Sequence, residues 1–435
     1  MLGGGTFVTQ NKVLPGTYHN FISARRSYLN LADRGFVALP LALSWGAEGV
    51  TTITAEEFET NTLALLGYTY DAEEMKPLRE IFRNSHTVYL NPLKGNGAVA
   101  ATNEFADAKY TGTRGNDIKI VIVANIDTPT LFDVRTLVGT TVVDEQIAVA
   151  TAADLVNNAF VDFKPGATLA VNAGLNLSGG TNGTVDITTY QAALEDFEAF
   201  GFNALILDSE VANIKNLFVA YTNRMRNDVG AKFQLVVQNV TAPDSEGIIN
   251  VFNATTEGAT KLVYWVGGAS GGVAVNASNE NKVYNGEYTV DFTGAKTQNQ
   301  LIQLIRDGFY VLHKVNNDTR VLSDINSFTS FTTDKNEDFA LNQVIRVLDQ
   351  IAVDTANIFN TRYLGKVPND QDGRISLWGD LVAHRNELQN IRAIQNYDSK
   401  ELVIRPGVQK NAVVANEVIE TAVAMSKLYI TTVVA

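Results

Sequence analysis

The chain has no cysteine among its 435 residues, which excludes disulfides and thiolate metal sites and leaves the redox compartment unread. Histidine is almost as scarce. His19, His86, His313 and His384 never stand at i, i+4 from one another and never in H-E-x-x-H spacing, so each reads as an ordinary surface or core histidine and no metal is expected. No apolar run approaches the roughly 18 residues of a membrane span. The first residues lack a basic region followed by an apolar one, so no secretory signal is expected. Positive charge is in deficit: 34 Lys plus Arg against 47 Asp plus Glu give a formal net charge of −13. Nucleic-acid binding by counterion release needs a basic face, so that function class is set aside, while basic partners stay open. Internal repeats and low-complexity tracts are also missing. The 45% hydrophobic content is ordinary for a chain with real cores, and the length suits about three domains.

What the chain does have is apolar, strand-like sequence at both ends. Leu428-Tyr429-Ile430-Thr431-Thr432-Val433-Val434-Ala435 is rich in β-branched and aromatic residues, and a helical pattern rather than a hairpin turn precedes it. At the other end Gly3-Gly4-Gly5 leads into Thr6-Phe7-Val8, then a Pro15-Gly16 turn signal, then Tyr18-His19-Asn20-Phe21-Ile22. An exposed, unpaired apolar strand is an aggregation hazard. A neighbouring subunit relieves it if each end adds a strand to another chain's sheet. A polymer-forming protein is therefore expected before any chemistry is considered.

Between the ends the pattern changes several times. Residues 1–30 read as an N-terminal arm. Residues 31–94 read as α/β, with a buried strand over Val37–Leu43, a helix opened by the capping box Thr54/Glu57, a second helix over Glu73–Phe82 and a strand at Thr87–Leu90. From 95 to 183 short strands such as Ile118–Val123 and Phe132–Leu137 alternate with turns, predicting a β-sandwich inserted into the α/β pattern. Residues 184–330 alternate again: helices over Thr188–Phe200, Glu210–Asp228 and Gln298–Asp307, strands over Ala204–Leu207, Phe233–Val237 and Lys261–Val266. Such alternation predicts a largely parallel sheet covered by helices. Residues 331–427 read as a mostly helical C-terminal domain. An apolar stripe runs from Phe339 through Val344, Ile345, Leu348, Ile351 and Ala352, and further helices are expected over Leu377–Tyr397 and Ala412–Met425 around a strand at Glu401–Arg405. Residues 428–435 form the C-terminal strand arm.

No catalytic constellation emerges. Gly268-Ala269-Ser270-Gly271-Gly272 matches G-x-S-x-G and follows an expected strand, with His313 and His384 downstream. The small residues after Ser270 read as close backbone packing rather than as a nucleophile elbow. Asn369-Asp370-Gln371-Asp372-Gly373 fails as a calcium loop, because Pro368 and Gly379 fall at its first and last ligand positions. Gly294-Ala295-Lys296-Thr297 lacks the Gly-Lys pair and the upstream glycine of a phosphate loop. The chain is not expected to be an enzyme and no cofactor is expected; a serine hydrolase using Ser270 is the alternative from another class, and a static filament or shell protein a third.

The arms, the inserted sandwich and the missing active site coincide with one family. Asn11-Lys12-Val13-Leu14-Pro15-Gly16-Thr17-Tyr18-His19-Asn20-Phe21 resembles the opening Pro-Gly-x-Tyr-x-x-Phe arm of contractile tail sheath proteins, found in bacteriophages, R-type bacteriocins and related injection systems. Ala108–Ile118 is similar to the segment entering that family's β-sandwich and Leu177–Gly183 to its exit. Arg320–Phe328 and Asn342–Asp349 resemble the junction into the C-terminal domain, and Met425-Ser426-Lys427-Leu428-Tyr429-Ile430 resembles the closing Met-x-x-x-Tyr strand. Each is weak alone; in order, end to end, they are specific. One departure is Ser278-Asn279-Glu280-Asn281, where many relatives show Ser-x-Thr, which bears on a local helix.

The resemblance implies a subtilisin-like α/β core without protease activity, since neither Asp-Thr-Gly nor Gly-Thr-Ser is present. It implies stacked hexameric rings forming a helical sleeve around a tail tube, which contracts to drive the tube through a cell envelope. The partners it implies are further copies of the chain, the tube protein, and baseplate and tail terminator proteins, with no nucleic-acid contact and no membrane insertion. The location it implies is a virion tail or a released bacteriocin particle, assembled in the host bacterial cytoplasm. Inter-subunit contacts are then expected from Phe7, Val8, Pro15, Gly16, Tyr18 and Phe21 in one arm and Leu428, Tyr429, Ile430 and Val433 in the other. Leu402, Val403 and Ile404 are expected in the receiving strand, and Arg374, Arg385 and Arg392 are candidates to face an acidic tube.

Overall fold

The computed structural model describes residues 31–434. The N-terminal arm residues Phe7, Val8, Pro15, Gly16, Tyr18 and Phe21 lie outside them. The molecule is mixed α/β and is built from several sheets. Its central body opens with β1 (Phe36–Ala42), β2 (Thr51–Thr54), α1 (Ala55–Leu66), α2 (Lys76–Phe82) and β3 (Thr87–Leu93). The capping box at the start of α1 is formed in both directions: the Thr54 hydroxyl accepts from the Glu57 N–H, and the Glu57 carboxylate accepts from the Thr54 N–H.

The chain then leaves the body for the sandwich. One sheet holds β4 (Ala100–Thr102), β5 (Ala106–Thr111) and β9 (Val161–Phe163). The other holds β6 (Ile118–Ala124), β7 (Phe132–Val138), β8 (Thr141–Val149) and β10 (Asn172–Asn176). Strict alternation along β6 sends Ile118, Ile120 and Ile122 inward, as the period-2 pattern requires. Entry and exit run side by side, bridged at Asn96/Thr184 and Val99/Thr181. Gly95 is required there, because a Cβ would stand 2.4 Å from the Thr184 nitrogen.

Returning, the chain adds α3 (Ile187–Phe197), β11 (Ala204–Ile206), α4 (Ala212–Arg224), β12 (Gln234–Gln238), β13 (Ile248–Val251), α5 (Val263–Gly272), α6 (Gln298–Arg306) and β14 (Phe309–Tyr310). Seven strands make one sheet in the order β14-β13-β12-β11-β1-β3-β2, parallel throughout except for β2. The central strands are buried on both faces, which is why they read as continuous apolar runs.

The expected strand over Lys261–Val266 is a correction: most of it belongs to α5. A short, fully buried apolar run carries no period that separates helix from strand. The glycines decide what it packs against. A Cβ on Gly268 would stand 2.5 Å from the Ile81 carbonyl oxygen and one on Gly272 1.7 Å from that of Asn84, so α5 presses bare backbone onto α2 and the turn after it. Ser270 is buried within this helix rather than raised on a strand-to-helix turn. Gly272→Ala and Gly268→Ala are each expected to destabilise the fold by about 1–3 kcal/mol, read from urea unfolding. Intact protein is expected to take no label from a fluorophosphonate.

Beside α5, Arg79 of α2 and Arg83, the residue just past its end, donate to Glu287 at 2.9–3.2 Å. The Arg79 hydrogen bonds hold the Glu287 carboxyl below its ordinary value of 4.5. Its contribution to stability is therefore complete above that value and is lost as pH falls through the depressed one. Neighbouring Glu80, fully buried, is pushed up by burial and acts with the opposite sign, gaining a proton in the folded state first. Glu287→Gln is expected to remove part of the acid-side loss of stability, measured as unfolding free energy between neutral pH and pH 3.

The remainder is β15 (Leu312–Val315) paired with β16 (Asp318–Val321), then α7 (Asn342–Ile358) and α8 (Gln371–Asn390). The short strands β17 (Ile394–Gln395), β18 (Val403–Pro406), β19 (Val413–Asn416) and β20 (Glu420–Thr421) follow. The apolar stripe of α7 faces inward through Val344, Ile345 and Ile351. Asp370, in the failed calcium-loop match, caps the start of α8 through the Gly373 N–H. The helix expected over Leu377–Tyr397 stops at Asn390, and the helix expected over Ala412–Met425 is absent; β19 and β20 occupy that stretch. Both misreadings have one cause, since pairing to β18 and β17 overrides a helical period.

Candidate assembly interface

Two hairpin-like pairs close the C-terminal region. Strand β18 runs antiparallel to β19, with Val403 opposite Asn416 and Pro406 opposite Val413. Leu402, just before β18, is buried against Leu377 and Leu381 of α8, and its carbonyl accepts from the Trp378 indole N–H at 3.0 Å. Val403 and Ile404 are half-buried. Among the described residues β18 has no strand partner other than β19, so this two-stranded sheet keeps an open edge on each side.

The last segment leaves the body in steps. Thr421 pairs with Ile394, and the Ala422 N–H donates to the Ala393 carbonyl at 3.0 Å. The Gln343 side chain of α7 then grips the chain twice, donating to the Ala422 carbonyl and accepting from the Ala424 N–H. Ser426 still reaches Glu280 at 2.9 Å. Beyond it Leu428, Tyr429, Ile430 and Val433 are 74–87% exposed, and no strand is assigned to them. Four large apolar side chains within six residues stand in water.

Family models cover most of this architecture. A phage tail sheath C-terminal domain matches residues 334–435 and a phage tail sheath protein central domain residues 183–327. A phage tail sheath protein beta-sandwich domain matches 94–182, and the N-terminal region of tail sheath protein Gp18 domain III matches 34–90. Protein XkdK of the phage-like element PBSX from Bacillus subtilis strain 168 is 33% identical over 439 residues, covering 92% of each chain. The chain belongs to the phage tail sheath protein family. The crystal structure of the sheath tail protein from Desulfitobacterium hafniense aligns with a TM-score of 0.81 at 35% identity, over 95% of this chain and 99% of that one. The anti-feeding prophage helical sheath in its contracted state shares the fold, with a TM-score of 0.55 at 14% identity over 98% and 99% of the two chains.

In this sheath protein the three arginines proposed to face a tube separate. Arg392 is exposed, in a left-handed turn at φ +60°, and Arg374 is half-buried, donating to the carbonyl and side-chain oxygens of its neighbour Asn369. Arg385 is a correction: it is 1% exposed and bidentate to Glu417 at 2.7 and 3.0 Å, so it presents no cation to a tube. The helical face on which it lies is covered by the stretch between β19 and β20, which the sequence pattern had drawn as another helix.

The three described histidines are likewise structural in their contacts, and His19 lies outside the described residues. His86 meets the Thr87 hydroxyl and the Arg34 carbonyl, burial pushes His313 down from 6.5, and His384 is enclosed beside Asp354. Among the described residues no group of His, Asp and Glu is arranged to hold a metal ion, and no helix is long and apolar enough to cross a membrane. Sequence reasoning missed Gln343, Asp354 and Glu417. Single polar residues in a helix or loop carry no signal of which distant backbone they will hold.

Proposed function

We propose that this sheath protein polymerises into stacked six-subunit rings around a tail tube and contracts to drive the tube through a cell envelope. The observation that carries this reading is the exposed apolar segment Leu428–Val434 on a chain that also presents a two-stranded sheet with open edges. A segment of about eight residues spans roughly 26 Å as a strand. Laid against Leu402–Ile404 or β19 of another copy, it completes a sheet across subunits, with the N-terminal arm doing the same elsewhere. Such links persist while the bodies rotate past one another, so interfaces can be exchanged without the polymer coming apart.

The seven-stranded, helix-flanked sheet supports reading the central body as the subtilisin-like core of the family, here with Ser270 buried. The inserted sandwich faces outward and changes little on contraction. Arg374 and Arg392 remain candidates to meet an acidic tube, and a baseplate and a tail terminator are the proposed partners at the two ends. The setting is a phage tail or a released bacteriocin-like particle assembled in the host bacterial cytoplasm. Contraction is driven by better-buried interfaces, without nucleotide.

Electron microscopy of the purified full-length chain, alone and with its tube protein, tests this. Hollow tubes of helical rings are expected, and contraction of assembled particles without ATP. Persistent monomers at high concentration with tube protein present, or ATP-dependent contraction, would overturn it.

A further inference from the structure

Ala32, at the start of the described residues, and Glu417, between β19 and β20, are joined by a continuous line of hydrogen bonds through α7 and α8. On the N-terminal side the Ala32 N–H donates to Asp354 Oδ1 at 2.9 Å, and Gln350 Nε2 holds both the Ala32 carbonyl at 3.1 Å and Asp354 Oδ2 at 2.9 Å. Asp354 Oδ2 lies 2.7 Å from His384 Nε2. The other ring nitrogen, Nδ1, is 2.7 Å from Arg385 Nη1. A guanidinium can only donate, so Nδ1 accepts and the proton sits on Nε2, pointing at the carboxylate. Arg385 then ends on both oxygens of Glu417, three residues before β20; the chain is held again at Ala422, Ala424 and Ser426 before the exposed C-terminal segment begins.

Asp354, His384 and Arg385 are at most 4% exposed. A second, apolar contact runs in parallel: Leu31 and Ile419 pack on one cluster with Val347, Ile351 and Leu388. The central sheet contributes no residue to the hydrogen-bonded line. The arrangement is costly in desolvation unless every member is satisfied, and here each charge has a directed partner.

We propose that the line Ala32–Asp354–His384–Arg385–Glu417 is a tension-bearing tie that fixes the N-terminal root relative to the C-terminal root. Load arriving through one terminal segment passes to the other through α7 and α8, without crossing the seven-stranded sheet. The proposal rests on the strand-donation reading above for its use in a polymer, while the tie itself is a property of the single chain. His384 and Arg385 are positioning residues in it.

The absence of cysteine makes the test clean. Spin labels on Cys introduced at two exposed positions, Asp33→Cys and Met425→Cys, report the distance between the two roots in the unassembled full-length protein. One narrow distance distribution is expected. Asp354→Ala and Glu417→Ala, each breaking the line at a different end, are expected to broaden it by about twofold or more while the central sheet keeps its hydrogen-exchange protection. Glu417 sits at the partly exposed end, so that variant reports even if the Asp354 change unfolds the chain. Unchanged width in Glu417→Ala overturns the tie. Equal broadening in Glu287→Gln, whose ion pair lies in the central body, overturns it too, because the loosening would then be general. Tubes formed by a chain ending at Lys427 would defeat strand donation instead, and would leave the distance result standing.

Discussion

A chain ending at Lys427 is expected to fold like the full-length protein and to form no tubes. Among its described residues the deleted segment makes no hydrogen bond to the body: the last tie, Ser426 to Glu280, lies upstream of the cut, and Leu428, Tyr429, Ile430 and Val433 are at least 74% exposed. The thermal midpoint of the monomer is thus expected to stay put. Assembly is another matter. Full burial of these side chains in a neighbour is worth roughly 1.5–3 kcal/mol apiece. A donated strand adds about four to six hydrogen bonds at on the order of 1 kcal/mol each. Even after much of this is offset by ordering the segment, several kcal/mol per link remain, and a raised critical concentration of on the order of a thousandfold follows. Sedimentation and negative-stain microscopy read the effect. A milder version, Ile430→Asp, is expected to weaken assembly strongly while leaving the chain intact. Tubes from the truncated chain at wild-type concentration would show that the segment is not the link.

Asp349→Ala is expected to be among the most destabilising single changes. Arg226, in the irregular turn that ends α4, donates from Nη1 and Nη2 to the two oxygens of Asp349 on α7 at 2.7 and 2.8 Å, with side chains 7% and 13% exposed. This pair fastens the central body to the C-terminal region. Removing the carboxylate strands a guanidinium in low dielectric, which costs about 3–5 kcal/mol. Replacing both, as Arg226→Met with Asp349→Leu, is expected to recover most of the loss, because no buried charge is left unpaired. Urea unfolding of the two single variants and the double variant gives the coupling directly. A second tie, Arg346 to Asp324 at 3.1 Å, keeps the two regions together, so the single variant is expected to be folded at low temperature.

Where period and capping act locally, the sequence was readable. The capping box at Thr54, the α3, α4 and α6 helices and the inward face of β6 each follow from residues within one or two turns of one another. Ser270 is buried in a helix rather than after the strand the sequence predicts, because Val263–Ala269 is apolar on every side and has no period to betray it. The stretch Ala412–Met425 failed for the opposite reason: a usable helical period was present, and pairing with β17 and β18 overrode it. The arginines show the limit for sites. Spacing places Arg374 and Arg385 on one helix, yet only the path of the chain through Glu417 decides that Arg385 is sealed in.

By itself the sequence determined the family, the mixed α/β class, the presence of a sandwich between two α/β stretches, and the apolar, β-branched character of residues 428–434. These are consequences of composition, local period and motif order, which do not depend on what lies across the fold. The tertiary structure alone decided the order of the seven strands, the glycine contact of α5 on α2, the open edges of the β18–β19 sheet, and the buried line from Ala32 to Glu417. Each of those joins residues far apart in the chain, and their pairing is set by which buried donors and charges find partners once the core has closed.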